Sequence, residues 1–304
     1  MASTASTTKD GKWGTETEKQ LGVENLESWR NEMYVDKIPW GYGRFRELLE
    51  AYSKIPPNEV EAEIFKIRDE AWGLAKYPCI GYFTYLQLPE FGDDVPEMQK
   101  AIERLRAPDS QDTFLEVGGF IFQTIRRLVF EGVDSTRLYG TDLHAEFVEL
   151  GYKQFRDRET LKATLVIGDL LLLDEEYAAS ELSRTFEGKI SIAHASNFFH
   201  LFSWESQLVI CERIVHFFRD DLSANHPAVL FGSHMGSCKP GKTGFFGAFL
   251  HDKMTFQSLW DKVGERTATR WKVDLQVVGV ATSKPNAYGK DARMVRYVVS
   301  QVEC

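Results

Sequence analysis

DTFLEVGGF, residues 112–120, is a short apolar run with an acid at Glu116 and two adjoining glycines, Gly118 and Gly119. The run suits a buried strand, and the glycines let the backbone approach another group closely before a helix begins. The same style repeats downstream. RLYGTDL, TLVIGDLL, KISIAHASNFF and PAVLFGSHM read as further strands, with IFQTIRRLVFEG, AEFVELGYKQFRDR and WESQLVICERIVHFFRD as helices between them. Parallel strands need such crossovers, which predicts a sheet with helices on both faces. MTFQSLWDKVGER adds a helix. RWKVDLQVVGV and ARMVRYVVSQV then close the chain as a strand pair, joined by a turn through Pro285, Asn286 and Gly289. The expected fold is α/β, a Rossmann-like doubly wound sheet whose last strand runs antiparallel.

Upstream of Asp112 the pattern is helical. ENLESWRNEM, RFRELLEAYSKI and NEVEAEIFKIRDEAWGLA repeat apolar residues every three or four positions. Pro56-Pro57 breaks this run, Asn58 is placed to cap the helix that follows, and Pro96 opens PEMQKAIERLRA. The expected organisation is a disordered tail over 1–20, a helical cap or lid over 21–108 and a catalytic domain over 109–304.

Composition narrows the function classes. A net charge of −9 and a pI near 5.4 leave no surplus of Lys and Arg to displace counterions, so no nucleic-acid partner is expected. Arg126-Arg127 reads as a solvated helix face. Cys79, Cys211, Cys238 and Cys304 form no CxxC pair and lie apart from clustered histidines, so neither a metal site nor a disulfide framework is expected. The polar N-terminus lacks the apolar core of a signal peptide, and no run of about 18 apolar residues exists to span a bilayer. The expectation is a soluble cytoplasmic protein.

Phe120, Ile121, Phe122 and Gln123 follow the glycines, so the GxGxxG dinucleotide pattern fails. An acid before the glycines repels a pyrophosphate and suits a cationic or polar ligand. Asp142 ends the second strand, where a carboxylate can accept from a ribose diol. Asp169 follows the third, where it can meet an adenine edge. Three acids in this order form the pattern of the class I S-adenosylmethionine-dependent methyltransferases, with a seven-stranded sheet. YPCIGYF at 77–83, LYGTDLHAEFVELGYKQFRDRE at 138–159, HASNFFHLFSWESQ at 194–207 and HDKMTFQSLWDKVGERTATRW at 251–271 sharpen this. They resemble the fungal secondary-metabolite methyltransferases of meroterpenoid pathways. The resemblance implies methyl transfer from S-adenosylmethionine to a small hydrophobic acceptor, most often esterification of a terpenoid carboxylate, by a homodimer. Glu116, Gly118, Gly119, Asp142 and Asp169 are the expected cofactor contacts, with Gln123, Leu143 and Leu170 beside them and Ser196-Asn197 near the methionine part. Phe120 departs from the family pattern, standing where a third glycine is usual.

A carboxylate acceptor is ionised at neutral pH and needs no general base, whereas a phenol benefits from one. That singles out His200 and His251 as candidate catalytic residues, against packing between Phe199 and Leu201 for the first and helix capping with Asp252 for the second. His234 is expected in a loop at the pocket mouth and His194 in the core. Tyr82, Tyr85, Phe199, Phe202 and His234 are the expected acceptor-side residues, suited to an apolar ligand under a lid. Phenol, nitrogen or carbon acceptors, and a cyclisation without methyl transfer, are the alternatives. G-S-C-K-P-G-K-T at 236–243 fits the phosphate-loop expression but follows the fifth strand and precedes FFGAF, so a substrate loop is expected instead.

Overall fold

The computed structural model describes residues 31–223, 226–243, 247–280 and 288–303. The expected tail, most of ENLESWRNEM, Pro285, Asn286 and Cys304 lie outside them. The cap comprises α1 (Gly43–Glu47), continued by a π turn at Leu48–Tyr52, then α2 (Val60–Leu74), α3 (Pro78–Gly81) and α4 (Pro96–Arg106). Pro78 and Pro96 each sit at a helix start, where the missing N–H costs nothing. Asn58 does not cap α2. Glu59 holds that position without a side-chain cap bond, because the chain leaves Pro57 through one extra turn residue.

The sheet follows as β1 (Phe114–Val117), β2 (Leu138–Asp142), β3 (Thr164–Ile167), β4 (Ile192–His194), β5 (Val229–Ser237), β8 (Trp271–Val280) and β9 (Ala292–Gln301). A separate hairpin, β6 (Gly241–Lys242) with β7 (Phe249–Leu250), lies between β5 and β8. The order is β3-β2-β1-β4-β5-β9-β8, with β1 to β5 parallel and β9 antiparallel to both of its neighbours. Intervening helices are α5 (Gln123–Phe130), α6 (Ala145–Phe155), α7 (Asp174–Ala178), α8 (Glu181–Phe186), α9 (Trp204–Phe217) and α10 (Lys253–Thr267). This is the doubly wound, seven-stranded class I methyltransferase fold.

Burial follows position in the sheet. All four residues of central β1 are buried, whereas two of the four in edge strand β3 are exposed. Two cores result. One packs the cap helices, α5 and α6 around Phe45, Ile64, Phe83, Phe114 and Phe155, and the other packs α8, α9 and α10 around Phe199, Trp260 and Tyr297.

Sharing a core with the cap leaves α5 no solvated face, which overturns the reading of Arg126-Arg127. Arg126 is fully buried, and its guanidinium meets both oxygens of Asp157 at 2.8 and 2.9 Å. Tyr52 from the cap donates to the same carboxylate at 2.8 Å. Arg127 pairs with Glu47 of α1 at 2.6 Å and with Glu131.

GSCKPGKT starts inside β5 and runs into β6, so its lysine opens a hairpin rather than a helix, and no phosphate cradle forms. Among the described residues no helix is long and apolar enough to cross a membrane.

Candidate active site

Parallel register sets Glu116 between Gly140 of β2 and His194 of β4. Glu116 is 4% exposed, and its Oε2 meets no partner among the described residues. Burial pushes its pKa up to about 7, against the opposing charge of His194 and the bonds from Thr124 and Ile125.

Beyond Val117 the backbone bends sharply. Gly118 has φ +68°, and a Cβ there would stand 2.5 Å from the Phe198 ring, while one on Gly119 would stand 2.3 Å from Phe122. The glycines therefore admit aromatic rings as much as they free the chain. Phe120 has φ +53°, the left-handed backbone that glycine adopts most easily. Its N–H donates to Asp142 Oδ2 at 2.9 Å, and its ring packs on Tyr85 at 5.1 Å and Phe147 at 4.7 Å. The loop thus keeps a glycine-like conformation at the position where this chain departs from the family pattern. The Phe122 backbone is left-handed too, at φ +52°, which delays the start of α5 to Gln123.

Asp142 also accepts from His144 N–H at 3.0 Å. Burial raises its pKa, partly offset by these amides. Two bonds leave acceptor capacity on a carboxylate. Asp169 lies just past β3 and accepts from Leu171 N–H at 2.8 Å. The three acids therefore stand at the carboxyl ends of three adjacent strands. Leu143 is about half exposed, Leu170 is buried, and half-buried Gln123 has a buried Oε1 without a partner among the described residues. Asn197 spends its N–H on the Ser233 carbonyl at 2.7 Å, and Ser196 turns its hydroxyl to Glu90.

The histidines gather by the ends of β4 and β5. His200 occupies a 3-10 turn at Phe199–Leu201, takes a bond from Met235 N–H on Nδ1 at 3.4 Å, and lies against Tyr288. His234 is not a loop residue. It lies within β5, 1% exposed, with Nδ1 unpartnered among the described residues. His251 has both nitrogens engaged, Nδ1 with Thr255 at 3.2 Å and Nε2 with Gln207 at 3.0 Å, and so braces the start of α10 against α9. Asp252, as anticipated, caps α10 in a reciprocal box with Thr255. Burial lowers His200 and His251 to about 3, and lowers His234 well below its ordinary value.

Of the expected acceptor-side residues, Phe199 is wholly buried among Phe198, His234, Phe256 and Tyr297. It is a core residue, because its turn directs the ring under the sheet end. Tyr85 is buried, its hydroxyl without a hydrogen-bond partner among the described residues, while Tyr82 and Phe202 are half-buried.

Sequence reasoning passed over Glu90. It sits on a cap turn at Pro89–Phe91, 7% exposed, accepts from Ser196 and from Ser233 at 3.0 Å, and lies 3.8 Å from His194 Nε2. Burial alone would raise its pKa, but His194 and Ser196 outweigh that and hold it at about 2. No local periodicity marks a contact spanning 106 residues.

Residues 34–86 match the family described as the meroterpenoid methyltransferase N-terminal domain. The O-methyltransferase phiE of a fungal species is 35% identical over 269 residues, covering 81% of this chain and 83% of that protein. The O-methyltransferase atr3 of Stereocaulon alpinum is 34% identical, over 76% of this chain and 65% of its own length. The asnovolin E/chermesin D methyltransferase nvfJ of Aspergillus novofumigatus is 33% identical, over 75% and 79%. A relative this similar over so much of both chains, with the strand-end acids in place, settles the family: this chain belongs to the fungal pathway methyltransferases, S-adenosylmethionine-dependent enzymes of the class I fold.

Proposed function

We propose that this chain O-methylates a carboxylate on a small, apolar, terpenoid-like intermediate. The observation that carries the reading is the state of the histidines. Burial keeps His200, His234 and His251 neutral and weakly basic, a poor match for deprotonating a phenol of ordinary pKa about 10. A carboxylate needs no such help. The relatives named O-methyltransferases support oxygen as the accepting atom, and the meroterpenoid family name supports a terpenoid-like acceptor.

In this reading Asp142 accepts from the ribose diol, Asp169 meets the adenine and Glu116 faces the methionine end, held there by β1 and the turn at Gly118. The cofactor supplies an electrophilic methyl group. The protein's own contribution is orientation and exclusion of water by cap and aromatics. His200 and His234, with Tyr85 and Phe202, belong to the acceptor side, and His251 acts by bracing α10. A homodimer is part of this reading, and light scattering checks it.

Titration calorimetry with S-adenosylhomocysteine, with ATP and NAD as comparisons, tests the cofactor assignment. Binding of the first alone is expected, weakened about tenfold or more by Asp142→Ala, which removes one or two bonds to a buried ligand. Mass spectrometry then compares a terpenoid carboxylic acid with a matched phenol. Methylation of the phenol alone would sink the carboxylate reading.

A further inference from the structure

Arg213 has no part in the site assigned above. It lies on α9, 5% exposed, and its guanidinium reaches the segment between β3 and α7. One terminal nitrogen donates to the Leu170 carbonyl at 2.5 Å. The other donates to the Leu172 carbonyl at 2.6 Å and lies 3.3 Å from Asp174 Oδ1. Its Cζ stands 4.0 Å from the centre of the Tyr177 ring. The Asp174 side chain is fully exposed, so it offsets little of the buried charge. Arg126 meets a buried carboxylate on Asp157, whereas Arg213 rests chiefly on two neutral carbonyls. A buried cation without a buried counter-charge is costly, and an apolar side chain would join α9 to α7 at lower cost. What a guanidinium adds is a rigid fork that grips two carbonyls at once.

Those carbonyls flank Leu171, whose N–H donates to Asp169 Oδ1 at 2.8 Å. A carboxylate with one internal donor keeps acceptor capacity for a ligand. The segment needs holding, because β3 is the edge of the sheet and pairs with β2 alone. Its ends are tied by Gly168 N–H to the Asp142 carbonyl at 3.0 Å and by Tyr177 N–H to the Leu173 carbonyl at 2.7 Å. Between these ends Arg213 holds the middle from a helix more than 40 residues away in the chain.

We propose that Arg213 is a positioning residue for adenine recognition: its fork on the Leu170 and Leu172 carbonyls fixes the Leu171 N–H that holds the Asp169 carboxylate. This rests on the reading of Asp169 as the acid that meets the adenine. A carboxylate held there accepts from the exocyclic amino group of adenine. In hypoxanthine the same position carries a carbonyl oxygen, which has no hydrogen to donate. Arg213 therefore acts on selectivity for the amino group, through Asp169, without touching the ligand.

The experiment is titration calorimetry of the whole chain with S-adenosylhomocysteine and with S-inosylhomocysteine, in which hypoxanthine replaces adenine. The proteins are wild type, Arg213→Met, Arg213→Lys, Asp169→Ala and the double variant Arg213→Met with Asp169→Ala. Wild type is expected to prefer the adenine ligand by about tenfold, the worth of one hydrogen bond to a charged group. Arg213→Met should lose most of that preference by weakening the adenine ligand alone. Arg213→Lys should keep only part of it, because an ammonium lacks the planar fork. The double variant should bind no more weakly than Asp169→Ala, since both changes act on one contact. Equal weakening of both ligands in Arg213→Met, or an additive double variant, overturns the proposal and leaves Arg213 as packing. If Arg213→Met does not fold, a full wild-type preference in Arg213→Lys overturns it equally. Wild-type protein that binds both ligands alike defeats the adenine reading of Asp169 and this proposal with it. A preference abolished by Asp169→Ala but kept in Arg213→Met defeats the role of Arg213 alone.

Discussion

Glu116 meets two opposing demands: it is buried, and it ends with an oxygen that nothing among the described residues satisfies. Its folded pKa, about 7 against an ordinary 4.5, lies above the unfolded value. A group of that kind contributes stability in full below the unfolded pKa, and the contribution is lost as pH rises through the folded one. Glu116→Gln should therefore match wild type in urea unfolding near pH 4. It should exceed wild type above pH 7 by up to ~3 kcal/mol, the shift converted at 1.36 kcal/mol per unit. Affinity for S-adenosylhomocysteine should fall in the same variant. A stability gap that does not widen with pH would remove burial as the cause. The acid was visible in LEVGGF from its neighbours. Its open oxygen was not, because that depends on His194 arriving from another strand.

At the scale of the element, the turn from β1 into α5 is the most constrained segment near the site. Gly118, Phe120 and Phe122 all take positive φ, and rings from Phe198 and Phe122 fill the space that side chains on Gly118 and Gly119 would need. Gly118→Ala should cost roughly 1–3 kcal/mol, from left-handed strain plus displacement of Phe198. Thermal unfolding measures it, and a neutral result would mean that Phe198 relaxes freely. Apolar alternation and spacing revealed the strands and helices, but placed the start of α5 too early. The delay comes with the left-handed backbone at Phe122, and the preceding Phe120 N–H is held by Asp142, a contact 22 residues away that no local pattern encodes.

For the whole molecule, the joint between cap and sheet is a packed core containing an ion pair. Buried Arg126 and Asp157, with half-buried Tyr52, connect α5, the segment after α6 and the cap. Removing one partner leaves the other charge buried and alone. Arg126→Met should cost about 3–5 kcal/mol in chemical denaturation, and Arg126→Met with Asp157→Leu should recover more than half of that. No recovery would place the value of the pair in its bond to Tyr52. Among the described residues, helices and turns run as far as Arg106 and the first strand begins at Phe114, so the secondary structure changes between them. The hydrophobic packing runs across that change.

By itself the sequence determined the alternation of strands and helices, the acids at three successive strand ends, the glycines of the first turn and the family resemblance. These are local patterns, written in periodicity and short spacing. Tertiary structure alone decided that Arg126 is a buried ion-pair partner rather than a surface charge and that Phe199 is core. It also decided that His251 is a brace with both nitrogens occupied, and that Glu90 reaches His194 beside Glu116. Burial and long-range pairing govern those roles, and both depend on which elements meet once the cap is folded onto the sheet.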